Sequence, residues 1–386
     1  MVASIALPRV MRIGAGAIEE LGTVVADLGL HRPLIVTDAF MTSTGAAERM
    51  SGILTRAGLT PGLFSGAVPD PTTDSLHAGL EALREHDADV VVGFGGGSPM
   101  DTAKALGLLG RQGGSMGDYK APHNNTGPAL PVVVVPTTAG SGSEATQFAI
   151  ITDSATDEKM LCPGIAFLPT AAIIDYELTL SMPQRLTADT GVDALTHAIE
   201  AYVSRRANPF ADSMALTAIT TISTALPRAY ADGTDARARE QMMLAATQAG
   251  IAFSNSSVAL VHGMSRPIGA HFHIAHGLSN AMLLPAVTAF SLSAAESRYA
   301  DCARAYGAAA EADDDATAAR KLLDALTGLC RDVDVPTPES YGIDRERWQN
   351  LVPLMAEQAV ASGSPANNPR VPTEAEIQDL YAQIYP

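Results

Sequence analysis

An acidic residue and a histidine lie four positions apart in the middle of a predicted amphipathic helix. Asp193 and His197 belong to the segment 188–204, where apolar residues form one stripe and polar residues form another. Side chains four residues apart meet on adjacent helical turns, so this pair could bind a metal ion. The polar stripe contains acids and a histidine but no lysine or arginine, and a bound cation would balance its charge. Taken alone, the helix favours the alternative, a solvated surface.

Four of the nine histidines fall within the short segment 262–276. They are His262, His271, His273 and His276, and small or apolar residues surround them. A lone histidine is usually structural, whereas such a cluster much less often is. Imidazole nitrogens with one carboxylate suit Fe(II), Zn(II) or a similar divalent ion. No cysteine lies nearby, so the sequence indicates a nitrogen and oxygen site without naming its metal.

A glycine cluster follows the apolar run 90–92 and could bind a phosphate. In Gly95-Gly96-Gly97-Ser98, glycine allows close approach of the backbone, and free N–H groups at a helix start attract anions. Ser98 and Asp101 have the spacing of an acidic capping box. The alternative is a tight turn between strand and helix that binds no ligand.

A second loop of small residues repeats this pattern after the apolar run 132–135. Thr137 and Thr138 begin the loop, and Ser141 and Glu144 have capping-box spacing. A capped turn without a ligand is again the alternative. Two such loops on one sheet favour a dinucleotide site, for which we count Asp101 and Ser141 among the candidate contacts.

Asp38 stands where another predicted strand ends, after the run 34–36. A carboxylate in this position can accept hydrogen bonds from a ribose 2′-hydroxyl and would repel a 2′-phosphate. An ordinary role in a turn or a helix cap is the more frequent alternative for such a residue.

The elements that carry these residues differ between the two halves of the chain. Continuous β-branched runs in the first half suit strands buried on both faces of a parallel sheet, with helices such as 74–86 between them. The sequence therefore predicts an α/β N-terminal nucleotide-binding domain, residues 1–184, and an all-α C-terminal domain, residues 185–386. The helices predicted in the second domain are 188–204, 211–226, 235–254, 276–290 and 295–329.

Composition narrows the classes of function. The chain of 386 residues carries 25 basic against 42 acidic residues, a net charge of −17, which argues against binding to nucleic acid or an anionic membrane. We expect no membrane span and no signal peptide. The cysteines Cys162, Cys302 and Cys330 are odd in number and widely spaced, so we expect no disulfide framework and a cytoplasmic protein.

The sequence resembles the iron-containing (group III) alcohol dehydrogenases along nearly its whole length. The likeness includes the late segment 364–370, and its motifs are highly specific as a set. The four motifs that carry it, in order, are Gly95-Gly96-Gly97-Ser98, the loop 136–144, the helix segment 191–202 and His276-Gly277-Leu278-Ser279-Asn280-Ala281.

This resemblance implies a dehydroquinate synthase-like fold and an NAD-linked alcohol dehydrogenase or aldehyde reductase that acts on a small alcohol. It implies a divalent metal, most readily Fe(II) with Zn(II) as the alternative, and assembly into a homodimer or larger homo-oligomer. In this family an acid at the position of Asp38 accompanies NAD. The residues implied as metal ligands are Asp193, His197, His262 and His276, and those implied along the cofactor are Gly95, Gly96, Gly97, Ser98, Thr137 and Thr138.

The sequence departs from the family four residues after His262. Many members have a histidine there that relays a proton, and this chain has Arg266, which is a poor acid or base. His271, His273 or water could take over the relay, and a structural role is the alternative for both histidines. We hypothesise that Arg266 binds a substrate carboxylate, as in 4-hydroxybutyrate or succinic semialdehyde, although pairing with a local acid is the simpler explanation.

Two other classes of function stay open from the sequence. One is a lyase or synthase that uses NAD and a metal on the same fold, and the other is a non-catalytic metal- or nucleotide-binding protein. The Asp193 and His197 pair and the loop 136–144 favour the dehydrogenase.

Overall fold

The computed structural model describes residues 2–385 and divides into two compact units. The first is Ser4–Ser181, and the second comprises, of the described residues, 2–3 and 182–385. Each unit has its own pattern of secondary structure, and each carries a different part of the chemistry predicted from the sequence.

Strands and short helices alternate in the first unit, as its sequence predicts. The helices are α1 (Leu21–Asp27), α2 (Ala39–Ser43), α3 (Ala46–Arg56), α4 (Ser75–Glu85) and α5 (Gly97–Gln112), with 3₁₀ helices at Ala17–Glu20, Met116–Tyr119, Ser143–Ala145, Ile165–Phe167 and Tyr176–Thr179. The strands are β1 (Val10–Ile13), β2 (Pro33–Val36), β3 (Gly62–Phe64), β4 (Val90–Gly95), β5 (Val132–Pro136), β6 (Phe148–Thr152), β7 (Lys159–Pro163) and β8 (Ala171–Ile174).

Six of these strands form one parallel sheet in the order β1-β8-β5-β4-β2-β3, while β6 and β7 form an antiparallel hairpin. The β-branched runs of β2, β4 and β5 are fully buried, which confirms the predicted parallel sheet. From β2 the chain moves outward to β3, whereas β4, β5 and β8 extend the sheet the other way. The carboxyl ends of β2 and β4 therefore meet where the strand order reverses, the usual ligand position in open α/β sheets.

The second unit is helical throughout, which confirms the predicted all-α class. The helices predicted from residue 188 to residue 254, and the one that begins at His276, are all present. The helices are α6 (Gln184–Val203), α7 (Pro209–Ala231), α8 (Ala236–Ser254), α9 (Leu260–Phe272), α10 (His276–Ser291), α11 (Glu296–Tyr306), α12 (Asp315–Asp332), α13 (Pro338–Tyr341), α14 (Arg345–Ala361) and α15 (Glu374–Ile384), with 3₁₀ helices at Leu292–Ala294 and Ser364–Asn367.

The single helical stretch predicted over 295–329 is wrong. Gly307 ends α11 with a left-handed φ of 83°, and Asp314 begins α12 by accepting a hydrogen bond from the backbone N–H of Thr317. Glycine adopts this conformation without strain, and aspartate is a strong N-cap, so the chain stops one helix and starts another.

One segment passes a length and hydropathy test for a membrane-spanning helix, although we expect no membrane span. His276–Ala294 is long and apolar enough by length and composition, and 56% of its most apolar window is buried inside the protein. Such burial is typical of a core helix, and α10 packs against α6, α9 and α12.

Candidate metal centre and glycine-rich loops

The four predicted metal ligands converge within the helical unit. Asp193 and His197 project from α6, His262 from α9 and His276 from the first residue of α10, and their ligand atoms all lie within 4.8 Å of one another. The Oδ1 atom of Asp193 lies 3.8, 3.6 and 4.0 Å from the Nε2 atoms of His197, His262 and His276, respectively. One carboxylate and three imidazoles in this arrangement fit a divalent transition-metal ion.

Helix α6 is buried almost throughout, because α7, α8 and α10 pack around it. Asp193 and His197 are only 4% and 2% exposed, so the solvated surface considered from the sequence is wrong. A buried carboxylate requires a compensating charge or hydrogen bonds. A cation held between Asp193 and the imidazoles would provide that compensation.

Glu200 is a part of this centre that sequence reasoning assigned only to the polar stripe. Its Oε2 atom lies 2.6 Å from Nδ1 of His262 and accepts a hydrogen bond from the backbone N–H of Ala259 at 2.9 Å. Its Oε1 atom accepts a bond from the N–H of Val261 at 2.6 Å. A carboxylate behind an imidazole fixes the tautomer and turns the other nitrogen towards the metal. The available signal was its position two turns after Asp193 on the same helix.

The orientation of His276 depends on small neighbours. The Oγ atom of Ser265 lies 3.3 Å from Nδ1 of His276 and 2.6 Å from Oγ of Ser279. A Cβ atom on Gly277 would overlap the carbonyl oxygen of Asp189 on α6. Glycine at this position thus allows α10 to approach α6 closely enough for the ligands to meet.

The electrostatics of the cluster favour a positive charge beside Asp193. Burial opposes ionisation of Asp193, yet the three surrounding imidazoles hold its pKa below the usual value. Burial lowers the pKa of His197 to about 3. Burial also acts to lower the pKa of His262, but the carboxylates of Glu200 and Asp193 outweigh this effect and raise that pKa. A proton and a divalent ion therefore compete for the same buried negative charge.

The two histidine candidates for proton relay, His271 and His273, lie outside the converging cluster, and so does Arg266. His271 is half-buried, with Nε2 2.8 Å from Oε1 of Gln358, which supports a structural role. His273 is exposed and ends α9 with a left-handed φ of 54°. Arg266 is buried, donates a hydrogen bond from Nη1 to Oγ of Ser364 at 2.8 Å, and has its pKa lowered to about 10 by burial despite the charge of Glu200.

The first glycine-rich loop joins β4 to α5, but the predicted capping box is wrong. Helix α5 begins at Gly97 with Gly96 as its N-cap, so Ser98 already lies within the first turn. The hydroxyl of Ser98 accepts a hydrogen bond from the backbone N–H of Asp70 at 3.2 Å. Asp101 instead faces the second loop, so the N–H groups of the first turn lack a side-chain cap.

The second loop also lacks its predicted capping box. Gly142, with a left-handed φ of 63°, precedes a short 3₁₀ helix at Ser143–Ala145, and β6 follows instead of an α-helix. The hydroxyl of Ser141 accepts a bond from the N–H of Ser143 at 3.3 Å. The sequence identified the loop correctly but not the element after it.

The two loops lie side by side because β4 and β5 are adjacent parallel strands. The N–H of Thr137 donates to the carbonyl of Gly95 at 2.9 Å. A Cβ atom on Gly97 would lie 3.3 Å from Cβ of Ser141, and one on Gly96 would lie 3.5 Å from Thr138. The glycines therefore keep open a surface of small groups and backbone N–H donors, which fits a dinucleotide pyrophosphate.

Asp38 lies at the end of β2, next to this surface. Its Oδ1 atom caps α2 by accepting a hydrogen bond from the N–H of Met41 at 2.9 Å. This is the capping role that the sequence offered as the alternative to ribose binding. The hydroxyl of Thr37 donates to the carbonyl of Phe94 at 2.8 Å and ties the ends of β2 and β4 together. Within residues 2–385 the cap uses one oxygen of Asp38, so the other can accept a hydrogen bond from a ribose.

Lys104 holds the second loop against α5. Its fully buried ammonium group donates to Oγ of Ser143 at 2.8 Å and to the carbonyls of Phe148 and Thr146 at 2.9 and 3.1 Å. Ser143 in turn donates to Oδ1 of Asp101 at 2.7 Å. Burial lowers the pKa of Lys104 to about 8, although Asp101 opposes the shift.

We expect Lys104→Met to lower the free energy of unfolding by about 3 kcal/mol near pH 7, because it removes one partner of a buried ion pair. Between pH 8 and 10.5, which is the ordinary pKa of lysine, residue 104 stays protonated in the unfolded chain but loses its proton in the folded protein. The folded protein then no longer buries a charged ammonium group. The difference in free energy of unfolding between the wild type and Lys104→Met should therefore widen as the pH rises. Urea unfolding at pH 7, 9 and 10 tests this, and a difference independent of pH would contradict it.

Comparisons with known proteins agree over the whole chain. The family model "Iron-containing alcohol dehydrogenase" matches residues 8–176, and the model "Fe-containing alcohol dehydrogenase family, C-terminal" matches residues 187–385. An NAD-dependent methanol dehydrogenase of Bacillus methanolicus is 40% identical over 98% of this chain and 97% of its own length. A 1,3-propanediol dehydrogenase of Klebsiella pneumoniae is 35% identical over 98% of each chain.

Solved structures show the same likeness. The crystal structure of a 1,3-propanediol oxidoreductase superposes with a TM-score of 0.95 at 35% identity and covers 100% of both chains. An alcohol dehydrogenase from Oenococcus oeni gives a TM-score of 0.95 at 32% identity, also over 100% of both chains.

Proposed function

The chain belongs to the iron-containing alcohol dehydrogenase family, and on that basis we propose that it transfers hydride between NAD and a small alcohol or aldehyde. The convergence of Asp193, His197, His262 and His276 is the observation that carries the proposal. One carboxylate and three imidazoles suit Fe(II) or Zn(II), and because the family is iron-containing we propose Fe(II) as the resident ion.

The helical unit would hold the metal ion, and the α/β unit would bind NAD. When bound, a divalent ion would activate the substrate oxygen as a Lewis acid, and the nicotinamide of NAD would accept the hydride. Asp193 and the three imidazoles would hold the ion, and Glu200 keeps His262 in the tautomer that presents Nε2. The glycine-rich loops would bind the pyrophosphate, and Asp38 the adenosine ribose.

The test is NADH formation with a panel of short alcohols, diols and hydroxy acids, together with NADH oxidation by the matching aldehydes. The enzyme is assayed as purified, after removal of metal with a chelator, and after addition of Fe(II), Zn(II) or Co(II). Activity that disappears on chelation and returns with one ion supports the proposal. NAD binding without turnover under every metal condition would indicate a non-catalytic protein instead.

A hydroxy acid such as 4-hydroxybutyrate is a second candidate substrate. Arg266 is buried one helical turn after His262, and within residues 2–385 its guanidinium donates one hydrogen bond, to Ser364. The remaining N–H groups could bind a carboxylate in a bidentate manner.

We expect Arg266→Ala to lower kcat/KM about 10- to 100-fold more for a hydroxy acid than for a neutral alcohol of equal length, since a hydrogen bond to a charged group contributes about 1.5–3 kcal/mol. Steady-state kinetics of both substrates measure the difference. Ser364→Ala is the control, because it removes the protein partner but leaves the guanidinium in place. Equal losses for the two substrates would leave Arg266 with a structural role only.

Preference for NAD over NADP is proposed to depend on Asp38. We expect Asp38→Gly to improve kcat/KM for NADP relative to NAD by about 10-fold or more, because it removes a carboxylate that would repel the 2′-phosphate. Asp27→Gly, a substitution at the exposed end of α1, is the matched control. An unchanged cofactor ratio in Asp38→Gly would show that this carboxylate only caps α2.

A cytoplasmic location and a homo-oligomeric state stay predictions.

A further inference from the structure

The side chain of Asn280 lies among the metal-ligand atoms, although it is not one of the four predicted ligands. Its Nδ2 atom donates to Oδ1 of Asp193 at 2.6 Å, and it lies 3.2 Å from Nε2 of both His262 and His276. The residue is fully buried on α10, one turn after His276. One amide group therefore faces three of the four atoms that would bind the cation.

These contacts alone define how the amide of Asn280 is oriented. Within residues 2–385 its Oδ1 atom is buried and has no hydrogen-bond partner. An asparagine in an ordinary structural role would satisfy both ends of its amide, because an unpaired buried carbonyl is costly. The Asn280 side chain instead directs its N–H donors at the ligands and leaves its acceptor unpaired.

We propose that Asn280 is a positioning residue that sets the affinity of the metal centre. Its N–H group uses one lone pair of the Asp193 Oδ1 atom and holds the carboxylate against rotation, so that the other lone pairs of this oxygen face the cation. The same amide fixes the distance between α6 and α10 at the ligand cluster. The proposal rests on the proposed metal site, because Asn280 acts through Asp193.

Asn280→Ala should weaken binding of Co(II) and Zn(II) to the metal-free protein about 10- to 100-fold, the usual effect of removing a group that orients a ligand. Binding is measured by competition with a chromophoric chelator, without any assay of turnover. Asn280→Ser, which keeps a small polar side chain but loses the reach to Asp193, should show the same loss and provides a second variant if the first folds poorly.

Asn368→Ala is the matched control. Asn368 is equally an interior asparagine of the helical unit, but its Nδ2 atom donates to Oγ of Ser291 at 2.9 Å and to the carbonyl of Arg370 at 2.8 Å. It contacts none of the four ligands, and its removal should leave affinity for Co(II) unchanged while lowering the melting temperature.

The visible spectrum of the Co(II) protein separates positioning from direct ligation, since band intensity and shape report coordination number and geometry. Weaker binding with an unchanged spectrum at saturating Co(II) supports the proposal. Wild-type affinity in both Asn280 variants overturns it, and so does a spectrum of altered coordination number, which would make Asn280 a ligand. Wild-type protein that binds no divalent ion would refute the proposed metal site itself, which is a distinguishable result.

Discussion

Asp193→Asn is expected to abolish most of the alcohol dehydrogenase activity and to lower metal affinity while leaving the protein folded. The substitution keeps the shape of the side chain but removes a carboxylate whose Oδ1 atom lies within 4.0 Å of the Nε2 atoms of all three imidazoles. Metal-ion catalysis contributes several kcal/mol, and each increment of about 1.4 kcal/mol is tenfold in rate. We therefore expect kcat/KM to fall at least about 100-fold. Steady-state kinetics and metal analysis of the same samples measure both effects.

Asp189→Asn is the matched control for this experiment. Asp189 lies one turn earlier on α6 and is also buried, but it pairs with Arg185, whose Nε donates to its Oδ1 atom at 2.9 Å. Loss of that pair should cost stability without removing a ligand. Substoichiometric metal in Asp193→Asn but not in Asp189→Asn is the expected pattern. Full activity of Asp193→Asn with a stoichiometric ion would show that the carboxylate is dispensable.

The metal ligands could be nominated from the sequence because histidine and aspartate carry chemistry that few other residues provide. Local spacing placed Asp193 and His197 on one face of a helix, and clustering drew attention to His262 and His276. Spacing could not show that three separate helices bring these residues together, since that depends on how α6, α9 and α10 pack. Only the resemblance to a family selected these four residues from the larger set of candidates.

The predicted capping boxes failed because local spacing cannot anticipate tertiary partners. Ser98 and Asp101 have the right separation, but Asp101 is satisfied by Ser143 and by the N–H of Ile150 at 2.9 Å, both distant in sequence. Burial raises the pKa of Asp101, and Lys104 and these two hydrogen bonds oppose that shift by favouring the carboxylate.

Several strands carried too little signal to be predicted. The edge strand β3 has three residues, and β8 begins with two alanines, which favour helices as readily as strands. β8 becomes a strand because β1 and β5 flank it with parallel partners. The role of Glu200 could not be predicted for a related reason, since its partners at the start of α9 are 59 to 62 residues away.

Glu200→Ala is expected to have the largest effect on stability. It leaves the backbone N–H groups of Ala259 and Val261 and the Nδ1 atom of His262 buried without their acceptor. Each unsatisfied buried donor costs about 1–3 kcal/mol, so the loss of three acceptor contacts should lower the free energy of unfolding by about 3–9 kcal/mol. Affinity for Zn(II) should fall about 10- to 100-fold as well, because His262 loses the carboxylate that orients it.

Glu200→Gln separates these two effects, because it has nearly the same shape and keeps one acceptor oxygen without the charge. An amide can still accept the hydrogen bond from the N–H of Val261, so the loss of stability should be smaller than in Glu200→Ala. The negative charge behind the ring of His262 is absent in both variants, so both should bind Zn(II) more weakly. Urea unfolding of the metal-free proteins measures the first quantity, and chelator competition measures the second. Wild-type Zn(II) affinity in both variants would mean that packing alone orients His262, and Glu200 would then contribute to the helix start and not to the metal centre.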